Sequence, residues 1–131
     1  MQRPMKVLLI EDSVEIRDAL IQSIEGSGTL VVNGAVDTAQ EAIALLDQGG
    51  VEAAVIDLNL RKGSGLQVLD HLQQAGNPKN ILRIVLSNHT TPVFKRICAE
   101  MGADHVLDKS LQFDDAITLL EQHALSRQAL S

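Results

Sequence analysis

Ala53-Ala54-Val55-Ile56-Asp57-Leu58-Asn59-Leu60 is the stretch on which the reading of this chain turns. A short apolar run rich in Val and Ile delivers one carboxylate, and a polar, glycine-bearing segment, Arg61 to Gly65, follows it. A run of that length and composition predicts a strand buried on both faces. Open α/β sheets place their chemistry at the C-terminal ends of such strands. Taken alone, Asp57 is either a structural acid capping the next turn or a functional one.

Outward from that stretch the pattern repeats. Met5 to Ile10 predicts a strand ending at Glu11-Asp12, and a helix capped by Asp12 or Ser13 turns Ile16, Ala19, Leu20 and Ile24 inward. Leu30 to Val36 predicts a second strand. Asp37 or Thr38 then opens a helix with Ala39, Ala42, Ile43 and Leu46 inward. Beyond Asp57, Ser64 to Ala75 carries Leu66, Leu69 and Leu72, and Gly76-Asn77-Pro78 breaks it. Ile81 to Leu86 predicts a fourth strand ending at Ser87. The next helix starts at Thr91-Pro92, with Val93, Ile97 and Met101 inward. His105 to Leu107 makes a short fifth strand near Lys109, and Leu111 to about Leu125 a last helix, with Phe113, Ala116, Ile117 and Leu120 inward.

Strand and helix alternating five times imply an α/β fold with a parallel sheet covered on both faces. Right-handed crossovers leave the flavodoxin-like strand order 2-1-3-4-5 as the best fit. At 131 residues the expectation is a single domain, its core spanning about residues 5–125, with no second domain for output.

Composition excludes several classes of function. Phe94 and Phe113 are the only aromatics and the formal net charge is −6, so neither base stacking nor phosphate-backbone binding is expected, and no direct contact with nucleic acid. Cys98 is the only cysteine, which rules out an internal disulfide and places a small side chain in the core. His71, His89, His105 and His123 show no metal-ligand spacing. No segment has the length of a signal h-region or a membrane span, so the expected location is the cytoplasm, without membrane insertion.

The parallel order gathers Glu11, Asp12, Asp57, Ser87 and Lys109 on one rim. Three carboxylates there repel by several kcal/mol at roughly 4 Å and an effective dielectric near 20. A hard cation with oxygen ligands, Mg²⁺, relieves this, a lysine adds positive charge, and a serine hydroxyl adds a donor. The set suits phosphoryl transfer with Asp57 as nucleophile.

Leu9-Ile10-Glu11-Asp12, Val55 to Leu60, Gly63-Ser64-Gly65-Leu66, Leu86-Ser87 and Gly102-Ala103-Asp104 through Lys109 together resemble the response-regulator receiver domains (CheY-like) of bacterial two-component signalling. The resemblance covers essentially the whole chain. It implies that Asp57 accepts a phosphoryl group from a phosphohistidine of a sensor histidine kinase or phosphotransfer protein. It implies that Asp12 holds Mg²⁺ directly, Glu11 through water, and Asp57 and the Asn59 carbonyl complete the metal set. Ser87 would bond a phosphoryl oxygen and Lys109 would pair with the group. Asn59 and His89 would flank it and tune its hydrolysis. Such a chain is a phosphoacceptor rather than a turnover enzyme, and a stand-alone one would signal to a protein partner through the face of the fourth helix, fifth strand and fifth helix.

Three positions depart from the family pattern. Val106 stands where an aromatic switch residue is common, Ser110 replaces a cis proline and implies a trans bond, and Arg61 replaces a proline and implies a freer loop. Two other readings follow. One is a binding module that keeps the fold but signals without phosphorylation. The other is a phosphatase of the haloacid-dehalogenase type, which wants an acid two residues beyond the nucleophile, where Asn59 cannot serve.

Overall fold

A computed structural model describes residues 3–75, 80–88 and 90–129. Its elements are β1 (Met5–Ile10), α1 (Val14–Glu25), β2 (Leu30–Val36), α2 (Ala39–Gln48), β3 (Ala53–Ile56), α3 (Gly65–Gln74), β4 (Leu82–Ser87), α4 (Pro92–Glu100), β5 (His105–Asp108) and α5 (Phe113–Ala129). The sheet is parallel throughout, in the order β2-β1-β3-β4-β5. The predicted fold class and strand order therefore hold. The breaker Gly76-Asn77-Pro78 and the candidate His89 lie outside the described residues.

Period-two alternation divides the core between the two faces. Val7, Leu9, Val55, Ile84, Leu86 and Leu107 meet Leu20 and Ile24 of α1 and Ala116 and Leu120 of α5. Leu8, Ile10, Ala54, Ile56 and Val85 meet α2, α3 and Cys98 of α4 on the other side. Phe113 and Ile117 pack against the first of these layers.

Helix starts are settled by side-chain oxygens. Ser13, not Asp12, caps α1 through the Ile16 amide, and Thr38, not Asp37, caps α2 through the Glu41 amide. Ser64 and Gln67 form a reciprocal box at the start of α3. Thr91 caps α4, with Pro92 in its first turn.

Three expectations need correction. Ile43 does not join the core but lines a surface groove, and Leu45 packs against the core instead. Val93 and Ile97 do not face inward: they are 54% and 39% exposed, while Phe94, Cys98 and Met101 turn to the core. The two rows are both helical in spacing, and the larger Phe94 ring takes the buried one. The last helix begins at Phe113 rather than Leu111, whose side chain is exposed; residues 109–112 form a turn before it.

Candidate functional site

The rim is built by running the strands one residue past their ends. Ile10 pairs with Ile56 across β1 and β3, so Glu11 and Asp57 follow side by side. The Asp57 amide donates to the Ile10 carbonyl at 2.8 Å. Alternation continued from Leu9, Val55 and Leu107 assigns Glu11, Asp57 and Lys109 to the α1/α5 side of the sheet. The side chains do meet there: Lys109 Nζ lies 3.0 Å from Glu11 Oε2 and 3.1 Å from Asp57 Oδ2. Asp57 and Glu11 are only 4% and 1% exposed.

Electrostatics at this pair are tense. Burial, and then the adjacent Asp57 carboxylate, push Glu11 up to about 7, although the Ser13 amide and the Lys109 ammonium hold it down. Burial works against the Lys109 charge, but its hydrogen bonds to Glu11 and Asp57 outweigh that and raise it above the ordinary lysine value. One ammonium thus serves two buried carboxylates.

The other predicted residues join through different atoms. Asn59 donates its amide to Asp57 Oδ1 at 3.1 Å, so Asp57 also caps its own turn. The Asp12 amide stands 3.5 Å from Asp57 Oδ2, while the Asp12 and Asn59 side chains are exposed at the mouth of the site. Ser87 is buried at the end of β4, and its carbonyl accepts from the Lys109 amide at 3.0 Å. A groove of about 200 Å³ lined by Ser13, Ile16, Asn88, Lys109 and Ser110 opens beside the lysine.

Gly65 is explained by close approach. It donates its amide to the Leu58 carbonyl, and a Cβ on it would collide with the Asp57 carbonyl and the Ile56 side chain. The Gly-x-Gly therefore serves the turn that presents Asp57, and Gly63 supplies the positive φ of +80° that the turn uses.

Among the described residues, no three His, Cys, Asp or Glu side chains are arranged to cage a metal ion. Glu11 is engaged by Lys109 and the Ser13 amide. The oxygens that could hold an ion are hard donors: the carboxylate of Asp12, that of Asp57, which also pairs with Lys109, and the backbone carbonyl of Asn59. One or two carboxylates with water are what Mg²⁺ accepts, so the donor chemistry fits that ion and not a softer one.

Sequence reasoning missed two features. Arg61 does not free its loop. Its guanidinium bonds Asp37 at 2.9 and 3.3 Å, its amide donates to the Asp37 carbonyl, and Ala39 donates to the Lys62 carbonyl. A long cationic side chain tethers the loop where a proline would have stiffened it. The second feature is Asp108, which accepts from Ser110 and Leu111. An aspartate two residues before a serine was the available signal, since such residues bond the backbone just ahead of them. Val106 is half-buried against the α2/α3/α4 core layer, and the Lys109–Ser110 bond is trans.

Comparison with known proteins adds the following. Residues 7–121 match the response regulator receiver domain family. The nitrate/nitrite response regulator protein homolog of Haemophilus influenzae is 34% identical over 122 residues, which are 93% of this chain and 56% of that protein. The chain spans about half the length of curated relatives it matches. A CheY-like receiver domain protein from Methanospirillum hungatei superposes with a TM-score of 0.81 at 19% identity, covering 98% of this chain and 100% of that one. The CheX-CheY-BeF3-Mg+2 complex from Borrelia burgdorferi gives 0.78 at 20% identity, with 88% and 85% covered.

Proposed function

The chain belongs to the response-regulator receiver family, and from that premise we propose that Asp57 is its phosphoacceptor. The observation that carries the proposal is the buried Asp57 carboxylate 3.1 Å from Lys109 Nζ at the C-terminal edge of the sheet. An Asp57 oxygen attacks the phosphorus of a phosphohistidine on a sensor kinase or phosphotransfer protein in the cytoplasm. The P–O bond forms as the P–N bond breaks, and the electron pair leaves with the imidazole nitrogen. Lys109 neutralises charge on the phosphoryl oxygens and the Ser87 hydroxyl donates to one of them. Asp12, Asp57 and the Asn59 carbonyl would hold Mg²⁺, with Glu11 acting from behind. When bound, that ion would supply charge neutralisation at the transferring group. The exposed Asn59 side chain sits where it can influence how quickly water removes the phosphoryl group.

Phosphorylation then shifts the population of α4 and its flanking loops, and a protein partner reads the change on the α4–β5–α5 face. Val93 and Ile97 leave α4 with exposed apolar surface for such a partner. Incubation with acetyl phosphate and Mg²⁺ should add one phosphoryl group, acid-stable and base-labile, and Asp57→Ala should abolish it. Lack of any gain in the unaltered protein would leave the phosphorylation-independent module as the better reading.

A further inference from the structure

Lys109 reaches the carboxylate pair from a loop with neither a proline nor an aromatic ring to fix it, so its backbone must be held by something else. The Lys109 amide bonds the Ser87 carbonyl, and Asp108 holds the residues that follow through Oδ1 and its backbone amide and carbonyl. Its Oδ1 accepts from the Ser110 amide at 2.9 Å, the Ser110 hydroxyl at 2.7 Å and the Leu111 amide at 3.0 Å. Its own amide donates to Gln112 Oε1 at 3.0 Å, and its carbonyl accepts from the Gln112 amide at 2.8 Å. The peptide that follows Asp108 is therefore fixed on both sides, and Lys109 lies inside it.

The remaining carboxylate oxygen faces a different loop. Asp108 Oδ2 accepts from Thr90 Oγ1 at 3.3 Å, and Thr90 lies between Ser87 and the α4 cap, Thr91. Ser87 and Asp108 are also strand partners across β4 and β5. The two groups that would grip a phosphoryl group sit at the end of β4 (Ser87) and just past β5 (Lys109). Beyond the bond from the Lys109 amide to the Ser87 carbonyl, the Asp108–Thr90 hydrogen bond ties together the segments that follow these strands. Val106, one alternation back along β5, has a stiff β-branched side chain packed in the core and cannot carry the connection.

We propose that Asp108 is the positioning residue for Lys109, and that its bond to Thr90 couples the Lys109 loop to the loop leading into α4. The inference rests on the phosphoacceptor reading of Asp57. Asp108 touches neither phosphoryl group nor metal and acts through Lys109. A misplacement of the amine weakens charge neutralisation in the transfer step and leaves the metal ligands where they are.

The test follows phosphoryl incorporation from acetyl phosphate by intact mass across a Mg²⁺ series. Asp108→Ala should slow incorporation at saturating Mg²⁺ by about tenfold, while the Mg²⁺ giving half-maximal rate stays within about twofold. Asp108→Asn keeps an acceptor for the Ser110 and Leu111 amides and should recover most of the rate. In a hydrogen-exchange comparison, phosphorylation of the unaltered protein should change both residues 109–112 and residues 92–100. In Thr90→Val only the first segment should respond. Unaltered rates in Asp108→Ala, or a Mg²⁺ requirement that rises in step with the loss of rate, would overturn the positioning role. A response of both segments in Thr90→Val would overturn the coupling. If the unaltered protein takes up no phosphoryl group, the phosphoacceptor reading fails and this inference falls with it.

Discussion

The strand-end rim and helix α4 lie at adjoining parts of the sheet and are held in opposite ways. At the rim, Glu11, Asp57 and Ser87 are almost fully buried, and Lys109 is fixed by two carboxylates. Of the nine residues of α4 only Cys98 is buried, while Val93 and Ile97 stand in solvent. The difference suits the separate tasks proposed for the two regions. A group that must meet a phosphoryl donor is preorganised by burial and paired charge. An element that must respond costs little to move, because few of its side chains would have to leave the core.

The comparison can be broken from either side. Ile56 ends β3 beside Asp57 with no exposure, so Ile56→Ala should lower unfolding free energy by about 2–5 kcal/mol in urea titration. Gly65→Ala places a methyl group against the Asp57 carbonyl and should cost about 1–3 kcal/mol, with slower phosphorylation because the nucleophile's own backbone must shift. On the other side, Thr91→Ala removes the α4 cap and should cost about 1 kcal/mol, with faster amide exchange confined to the start of that helix. Val93→Ser and Ile97→Ser should each stay within about 0.5 kcal/mol of the parent, and a partner that reads this face should bind both variants less well. A loss of several kcal/mol from either would show that α4 is part of the core after all.

The smallest effect concerns pH. The Ser110 hydroxyl, then the Leu111 and Ser110 amides, hold the Asp108 carboxyl below the usual aspartate range. A depressed carboxyl stabilises the fold above its unfolded pKa and loses that contribution as pH falls through the folded value. Amide protection at Ser110 and Leu111 should therefore persist down to roughly pH 4 and fade only below it. The Thr91 cap does not titrate, so the Phe94 amide should not follow. Parallel loss at residues 110–111 and at the Phe94 amide would contradict the separate roles of the two regions.

Much of this was legible in the chain. Short Val- and Ile-rich runs alternating with capped, amphipathic segments left few topologies open, and that order brought Glu11, Asp57 and Lys109 to one rim. Periodicity could not choose the inner row of α4, because Val93, Ile97 and Met101 recur at helical spacing just as Phe94, Cys98 and Met101 do. Only packing volume separates them. The tether from Arg61 to Asp37 and the bond from Asp108 to Thr90 were hidden for another reason: each joins two different loops, and no local pattern links those positions.

The central claim is that Asp57 carries the phosphoryl group, and covalent trapping tests it most directly. Borohydride reduces an aspartyl phosphate to homoserine, and peptide mass spectrometry then locates the altered residue. After incubation with acetyl phosphate and Mg²⁺, homoserine should replace Asp57 alone. Homoserine at Asp12 or another acid, or an unaltered Asp57 in protein that has gained a phosphoryl group, would contradict the account.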